Sequence, residues 1–239
     1  MTLILTLLRR VVEVNQRLRA GERVPSISAL APGLYGKVVG FVGMGDIAYE
    51  LAKLVVVCRA SCHTQYLTHC PSQDGFNCKI VVYSPTSAKT KWTSSDPNSP
   101  NTVIPHQRAS SLEEMLPQID VLSIHCPLLP ETRHMISTSE LQLLKSTAII
   151  INTARGGIID EIALATALRE GQIAGAGIDV WETEPPTTEK YAELIGMRQV
   201  VALPHLGGST DEVTKIGCMN AVDIAFDYLE GKPARNRVY

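Results

Sequence analysis

The apolar positions of this chain follow two patterns that alternate along most of its length. Short runs rich in β-branched residues predict strands, and apolar residues repeated every three or four positions predict helices. The predicted strands are Val38–Val42, Lys79–Tyr83, 121–125, 148–152, 177–180 and 200–203. Strands and helices that alternate in this way form a parallel sheet with helices on both faces, which predicts an α/β doubly wound fold.

Helices are predicted between and beyond these strands. The predicted helices are 3–20, 47–56, two short segments that start after Ser110 or Ser111 and after Ser137, 160–171, and a final helix that is capped by Ser209 and ends near residue 230. A serine three residues before a glutamate marks several of these starts, because each side chain can bond the other residue's main-chain amide. Glycine, proline and serine mark 21–36 as a connector, and 84–101 reads as a long loop.

Composition narrows the classes of function. The 239 residues include 22 Lys and Arg and 24 Asp and Glu, and the net charge is −2. This balance gives no basic excess for a nucleic acid or an anionic membrane, and no apolar run reaches the roughly 18 residues of a membrane span. The apolar first residues are followed by Arg9 and Arg10 without a small-residue cleavage site, so we expect a cytoplasmic protein. Six cysteines in this length do not indicate a disulfide scaffold.

A glycine-rich turn follows the first predicted strand. Gly43, Gly45 and Ala48 form the pattern GxGxxA between a strand and a helix. Gly43 allows a tight turn, Gly45 lets the backbone approach a pyrophosphate, and the amides of the helix N-terminus favour phosphate. A glycine turn without a ligand is the alternative, but the strand–turn–helix context favours a dinucleotide site. The other residues of this predicted cofactor-binding turn are Met44, Asp46 and Ile47.

The residue that ends the second strand bears on the choice of cofactor. An acidic residue normally stands there and holds the ribose hydroxyls, whereas this chain has Ser84, with Lys89 and Lys91 close behind. This pattern tolerates a 2′-phosphate, so both NAD and NADP stay open. The alternative interpretation is that the two lysines are ordinary solvated loop charges.

Polar residues follow three later strands, at 152–160, 177–186 and 203–210. Ligands of open α/β sheets bind at the carboxyl ends of the strands, so these segments are candidate site loops. Together with the glycine turn, they resemble the D-isomer-specific 2-hydroxyacid dehydrogenases, the group that contains phosphoglycerate dehydrogenase and glyoxylate reductase. The motifs that carry the resemblance are GKVVGFVGMGDIA, IHCPLLPETRHMIS, NTARGGIIDE, AGAGIDVWETEPP and LPHLGGSTDE.

The resemblance implies an NAD- or NADP-dependent oxidoreductase that acts on the CH–OH group of a D-2-hydroxy acid. Arg155, Glu184 and His205 match the catalytic residues of the family, and Asp179 matches its aspartate on the nicotinamide side. Residues implied on cofactor-lining segments are Cys126, Pro127, Thr132, Thr153, Ala154, Arg155, Asp179, His205, Gly207 and Gly208. His205 can move a proton near neutral pH, Glu184 can orient it, and Arg155 offers a rigid fork for a carboxylate.

The same resemblance implies a Rossmann-like dinucleotide-binding domain with an incomplete substrate domain. We expect an interdomain helix and connector over 1–34, the dinucleotide-binding domain over 35–208, and over 209–239 a helix that returns toward the substrate domain. The apolar faces of 3–12 and of the final helix would then lack their usual partners, and this chain alone would be a weak catalyst. The implied partners are a small 2-oxo or 2-hydroxy acid and a second copy in a homodimer, without nucleic acid, membrane or metal. The alternative function is a non-catalytic NAD(P)-binding or corepressor-like module.

Residues 57–73 interrupt the link between the glycine-turn helix and the second strand. They make the separation of Gly43 and Ser84 about twice the roughly 20 positions that the fingerprint expects. Cys58, Cys62 and Cys70 with two nearby histidines make a zinc site conceivable, although their spacing is not that of a zinc knuckle. A plain surface loop is a second interpretation. We favour a third, a translated intron, because its removal restores a separation close to the expected one.

Overall fold

The computed structural model describes residues 1–56, 76–96 and 103–232. The segment 57–73, with its three interpretations, lies outside the described residues. Within the described part of the chain, no helix is long and apolar enough to cross a membrane. The same residues contain no cluster of three or more His, Cys, Asp or Glu side chains that could hold a metal ion.

The described residues form one parallel sheet whose strand order is β3-β2-β1-β4-β5-β6-β7. The strands are β1 (Val38–Val42), β2 (Lys79–Tyr83), β3 (Gln107–Arg108), β4 (Val121–Ile124), β5 (Ile149–Asn152), β6 (Gly175–Ile178) and β7 (Val200–Ala202). All neighbours pair in parallel, which confirms the predicted doubly wound sheet. Strand β3 was not predicted, because it consists of two polar residues.

The helices connect and flank these strands. They are α1 (Thr2–Leu8), α2 (Val11–Arg19), α3 (Asp46–Val55), α4 (Leu112–Met115), α5 (Thr138–Leu143), α6 (Glu161–Arg169), α7 (Thr188–Gly196) and α8 (Asp211–Leu229). Single turns of 3₁₀ helix occur at Ser26–Ala29 and Leu116–Gln118. The predicted caps of α4 and α5 are confirmed, since Ser111 accepts from the Glu114 amide and Ser137 forms a capping box with Glu140.

Apolar side chains cover both faces of the sheet. One face packs against α4, α5, α6 and α7, and the other packs against α1 and α3. Every residue of β4, β5 and β6 is buried, as expected for strands covered on both sides. Each buried isoleucine or leucine contributes about 1.5–3 kcal/mol relative to an exposed one. The core therefore fixes the positions of the strands, and with them the ends of the loops at the carboxyl edge of the sheet.

The prediction of a single helix over 3–20 is wrong, because the helix is interrupted at Arg9 and Arg10. Arg10 adopts a left-handed conformation with φ of 51°, and its guanidinium pairs with Glu13 of α2. The break lets α1 lie on the sheet rather than continue into α2.

The apolar face of α1 is covered by the sheet, whereas the absence of the usual partners of 3–12 stays a prediction. Leu3, Ile4 and Leu8 are buried. A Cβ added to Gly177 of β6 would lie 3.1 Å from the Leu3 Cβ atom, so the glycine permits this close approach. The division of the chain at 34/35 and 208/209 stays a prediction.

Two further elements correct the sequence analysis. Helix α7 was not predicted; it is capped by Thr187, whose side chain accepts from the Lys190 amide. Helix α8 is capped by Thr210 rather than by Ser209, because Thr210 Oγ1 accepts from the Val213 amide at 3.2 Å. Six apolar side chains of α8 are more than half exposed: Val213, Ile216, Met219, Val222, Phe226 and Leu229.

The loop predicted over 84–101 contains no helix or strand in its described part, 84–96, but it is anchored by a buried aromatic residue. Trp92 is 1% exposed and lies edge-on to Phe41 of β1, with ring centroids 5.9 Å apart. It also contacts Tyr49 of α3. This loop therefore packs against β1 and α3, the two elements that the glycine turn connects.

Candidate active site

The glycine turn between β1 and α3 has the geometry that the sequence predicts. Gly43 has φ of 101°, and a Cβ there would lie 2.7 Å from the His125 carbonyl oxygen, so only glycine fits. Gly45 caps α3, and no atom lies within 4 Å of where its Cβ would be. Met44 is buried, whereas Asp46 and Ile47 are exposed on the first turn of α3. The open backbone at the positive end of a helix fits the pyrophosphate of a dinucleotide.

Ser84 ends β2 at the same edge of the sheet, without a carboxylate. Its hydroxyl is 2.6 Å from the hydroxyl of Ser87. The Arg108 guanidinium reaches this loop from β3 and donates to the Ser84 carbonyl at 2.8 Å. Sequence reasoning missed Arg108, because it lies on the strand that was not predicted. Lys89 is exposed.

The loop after β4 carries three of the predicted cofactor residues. Thr132 Oγ1 donates to the Pro127 carbonyl and accepts from the Leu129 amide, each at 2.7 Å, and so closes this loop. Burial raises the pKa of Cys126 to about 11, which keeps its thiol protonated at neutral pH. Burial lowers the pKa of the neighbouring His125 to about 4, so this imidazole is uncharged at neutral pH.

The turn after β5 places Thr153, Ala154 and Arg155. Asn152 shapes this turn: its amide nitrogen donates to the Arg155 carbonyl at 2.9 Å, and its oxygen accepts from the Ala154 amide at 3.1 Å. Gly156 then packs directly against the next loop, because a Cβ there would lie 2.0 Å from the Trp181 carbonyl carbon. The loop that carries Arg155 therefore touches the loop that carries Glu184.

Asp179, at the end of β6, holds the turn that contains His205. Its carboxylate is buried and accepts from the Leu206 amide at 2.7 Å and from the Gly207 amide at 2.8 Å. Its main-chain carbonyl accepts from the His205 amide at 2.7 Å. His205 has φ of 62°, which is uncommon for a residue other than glycine. These bonds keep the histidine in that conformation. Gly208, later in the same turn, is exposed.

Glu184 and His205 are joined by a hydrogen bond. Glu184 Oε2 lies 2.9 Å from His205 Nδ1, and Glu184 Oε1 accepts from the Trp181 amide at 3.0 Å. The bond with His205, supported by the Trp181 amide and the charge of Arg155, lowers the pKa of Glu184 below its usual value. Glu184 is therefore ionised at neutral pH and fixes the orientation of the imidazole.

Arg155, Glu184 and His205 converge on one cavity of about 510 Å³. Sequence reasoning missed three charged residues of this cavity: Arg133, Glu182 and Lys190. Glu182 Oε1 lies 2.6 Å from His134 Nε2 and accepts from Arg133 at 3.3 Å. The sequence offered one indication of these residues, which is their position in or near the family motifs. Glu182, for example, stands two residues before Glu184. Gly43–Ile47 and Ser84 do not line this cavity and belong to the other half of the sheet edge.

Comparison with known proteins identifies the family. The profile of the D-isomer specific 2-hydroxyacid dehydrogenase NAD binding domain matches residues 1–74 and 70–207. The chain is 38% identical over 216 residues to glyoxylate reductase of Thermococcus litoralis, covering 88% of this chain and 56% of that protein. It is 35% identical over 243 residues to glyoxylate/hydroxypyruvate reductase B of Escherichia coli, covering 100% of this chain and 65% of that one.

Solved structures agree with this assignment. The TT0316 protein from Thermus thermophilus superposes with a TM-score of 0.79 at 31% identity, covering 100% of this chain and 66% of that one. A glyoxylate reductase from Paecilomyes thermophila gives a TM-score of 0.73 at 29% identity, covering 96% and 60%. The chain thus spans 56–65% of the length of these two curated relatives. Because the profile covers most of its residues, the chain belongs to the D-isomer specific 2-hydroxyacid dehydrogenase family.

Proposed function

We propose that this chain supplies the NAD(P)-binding and proton-transfer part of an oxidoreductase that interconverts a 2-oxo acid and a D-2-hydroxy acid. The observation that carries the proposal is the 2.9 Å bond between His205 Nδ1 and Glu184 Oε2 at a cavity that Arg155 also lines. A proton carrier, a carboxylate that orients it and a cation for an anionic substrate are thereby brought together. The relatives named glyoxylate reductase and glyoxylate/hydroxypyruvate reductase support a small 2-oxo acid as substrate.

Each of the three residues has a separate task in this proposal. Because Glu184 occupies Nδ1, His205 uses Nε2 to donate a proton to the substrate carbonyl oxygen as that oxygen gains charge. Arg155 pairs with the substrate carboxylate through its planar fork of donors, which a lysine could not reproduce. Asp179 holds the histidine turn through the Leu206 and Gly207 amides. Its implied role on the nicotinamide side stays a proposal.

The cofactor-binding residues form the other half of the proposed site. When bound, NAD or NADP supplies the hydride chemistry that no side chain can provide. Gly43–Ile47 receive the pyrophosphate at the α3 N-terminus, and Ser84 lies where the adenosine ribose is expected. Cys126, Pro127, Thr132 and Thr153–Arg155 complete the lining in this proposal, with Gly207 and Gly208 beside His205.

Cofactor binding and turnover test this function separately. NADH and NADPH are titrated against the 239-residue chain by calorimetry, and reduction of glyoxylate, hydroxypyruvate and 3-phosphohydroxypyruvate is followed by loss of reduced cofactor. Saturable binding together with turnover that depends on His205 supports the proposal. Binding without turnover of any of the three acids favours the non-catalytic NAD(P)-binding module. Absence of binding contradicts both functions.

A homodimer and a cytoplasmic location complete the proposal. The exposed apolar side chains of α8 support association with another surface, since such a stripe is costly in water. Light scattering of the purified chain tests the dimer, and fractionation of cells that express it tests the location.

A further inference from the structure

Arg108 is a cation held in a fixed position beside the end of β2. Its Nη2 atom donates to the Ser84 carbonyl at 2.8 Å and to the Ser87 carbonyl at 3.1 Å. Its Nη1 atom donates to the Ala88 carbonyl at 3.1 Å and contacts Met44 Sδ at 3.2 Å. The guanidinium therefore joins the glycine turn to the loop that follows β2.

All of these acceptors are uncharged. Among the described residues, Arg108 forms no ion pair with a carboxylate. The charge of a guanidinium bound only to neutral groups is not offset by a negative partner, and a partly buried charge is screened less than an exposed one. Within the described part of the chain, the end of β2 consequently carries a positive charge without a carboxylate partner, where the common fingerprint has a negative charge.

Two hydroxyl groups lie beside this charge, and together with it they form a set of groups suited to binding a phosphate. Ser84 Oγ and Ser87 Oγ lie 2.6 Å apart, and the carbonyls of both residues are bound to Arg108. Hydroxyl donors next to a fixed cation suit a phosphate monoester, because hydrogen bonds to charged groups are the strong ones. Lys89 is exposed in the same loop, and fixing its side chain would cost rotamer entropy.

We propose that Arg108 determines cofactor preference by favouring an adenine dinucleotide that carries a 2′-phosphate. The proposal rests on the proposed cofactor site. The terminal N–H groups of Arg108 already donate within the protein, so Arg108 acts through its charge and by holding the loop. Ser84 and Ser87 supply the hydrogen bonds to the phosphate.

The test compares two ligands that differ only by the 2′-phosphate. Adenosine 2′,5′-bisphosphate and 5′-AMP are titrated by calorimetry against the native chain and against Arg108→Gln, Arg108→Lys and Lys89→Gln, at low and high salt. The native chain should bind the bisphosphate about 10- to 100-fold more tightly, the usual size of a charge-assisted contact. Arg108→Gln should remove this preference with little change for 5′-AMP. Arg108→Lys should keep part of it, Lys89→Gln should keep all of it, and salt should weaken it.

Several results would overturn the proposal. The first is equal affinity of the native chain for the two ligands. The second is an equal fall in the affinities for both ligands in Arg108→Gln. The third is loss of the preference in Lys89→Gln while Arg108→Gln keeps it. Should Arg108→Gln fail to fold, Arg108→Lys decides, and an undiminished preference for the bisphosphate in that variant overturns the proposal. Binding of neither ligand rejects the proposed cofactor site and this proposal together, whereas binding of both without preference rejects only the role of Arg108.

Discussion

The carboxyl edge of the sheet has two halves that hold their polar groups in different ways. In the region of the three predicted catalytic residues (152–157, 179–184 and 205–207; called the catalytic region below), carboxylates bridge neighbouring loops, from Asp179 to the Gly207 amide and from Glu184 to His205. In the cofactor region (43–47 and 84–88), the bridging group is a cation, Arg108, and its acceptors are neutral. The first arrangement fixes geometry without a ligand, and the second sets a local charge. Substitutions should therefore damage function in the first region and change ligand preference in the second.

The largest effect is expected when the catalytic region loses its proposed proton donor, His205. In an active version of the protein, His205→Gln should lower turnover of 2-oxo acids roughly 10²- to 10⁴-fold, the usual contribution of a general acid. Cofactor affinity should hardly change, because Gly43–Ile47 and Ser84 lie in the other region. Steady-state rates and NADH titration of the same preparation measure the two quantities. Normal turnover in this variant would remove His205 from the mechanism.

The second largest effect should come from a methyl group added between the loop of Arg155 and the loop of Glu184. Gly156→Ala places a Cβ 2.0 Å from the Trp181 carbonyl carbon, so the loops of Arg155 and Glu184 must separate. The free energy of unfolding should fall by about 1–3 kcal/mol, as for other overpacked sites, and turnover should fall with it. Urea denaturation measures the loss. Gly33→Ala is the matched control, since no atom lies within 4 Å of its Cβ position; equal stability of the two variants would contradict the close loop contact.

In the cofactor region, a new carboxylate should change preference rather than stability. Ser84→Asp should shift the affinity ratio of NADH to NADPH toward NADH by about tenfold, because the acid bonds the ribose hydroxyls and repels a 2′-phosphate. Parallel titrations of both cofactors measure the ratio. A strong NADH preference already present in the native chain would argue against an open cofactor choice.

The smallest effect should come from an ion pair near the amino ends of the strands, away from both regions. Asp120 accepts from the Val38 amide and from Lys145, each at 2.9 Å. Burial opposes ionisation, but these bonds hold the pKa of Asp120 below its usual value. Its contribution to stability is therefore present above about pH 4 and is lost as the pH falls through the lowered value.

Asp120→Asn tests this pH dependence. The variant should lose about 1 kcal/mol of unfolding free energy at neutral pH, and the difference from the native chain should vanish in acid. Urea denaturation across that pH range measures it. Because Asp120 lies away from both regions, cofactor preference should not move; a changed preference would show that the regions are coupled through the sheet.

The sheet could be predicted because its strands are local runs of β-branched residues, as at Ile149–Asn152. Two features could not be predicted from periodicity. The left-handed Arg10 interrupts a helix whose apolar spacing continues across it. Strand β3 has no apolar pattern, and it forms because Arg108 pairs with Val82 across the sheet. Both are decided by tertiary packing, which overrides local preference.

The site was predicted in part for a similar reason. The motifs indicated Arg155, Glu184 and His205, and these residues do converge on one cavity. The bonds of Asp179 with the Leu206 and Gly207 amides could not be foreseen, since main-chain donors leave no mark in a sequence. The contact of Arg108 with Ser84 likewise depends on the pairing of β2 with an edge strand.

The placement of the tryptophans gives each region its own optical reporter. The chain contains two, Trp92 and Trp181. Trp92 is buried beside Phe41 under the cofactor region, whereas the Trp181 indole donates to the Leu203 carbonyl at 2.9 Å in the catalytic region. Emission from an apolar interior and from a hydrogen-bonded indole differ in wavelength. Single-tryptophan variants would therefore show, by fluorescence alone, which half of the sheet edge opens first when the protein is heated.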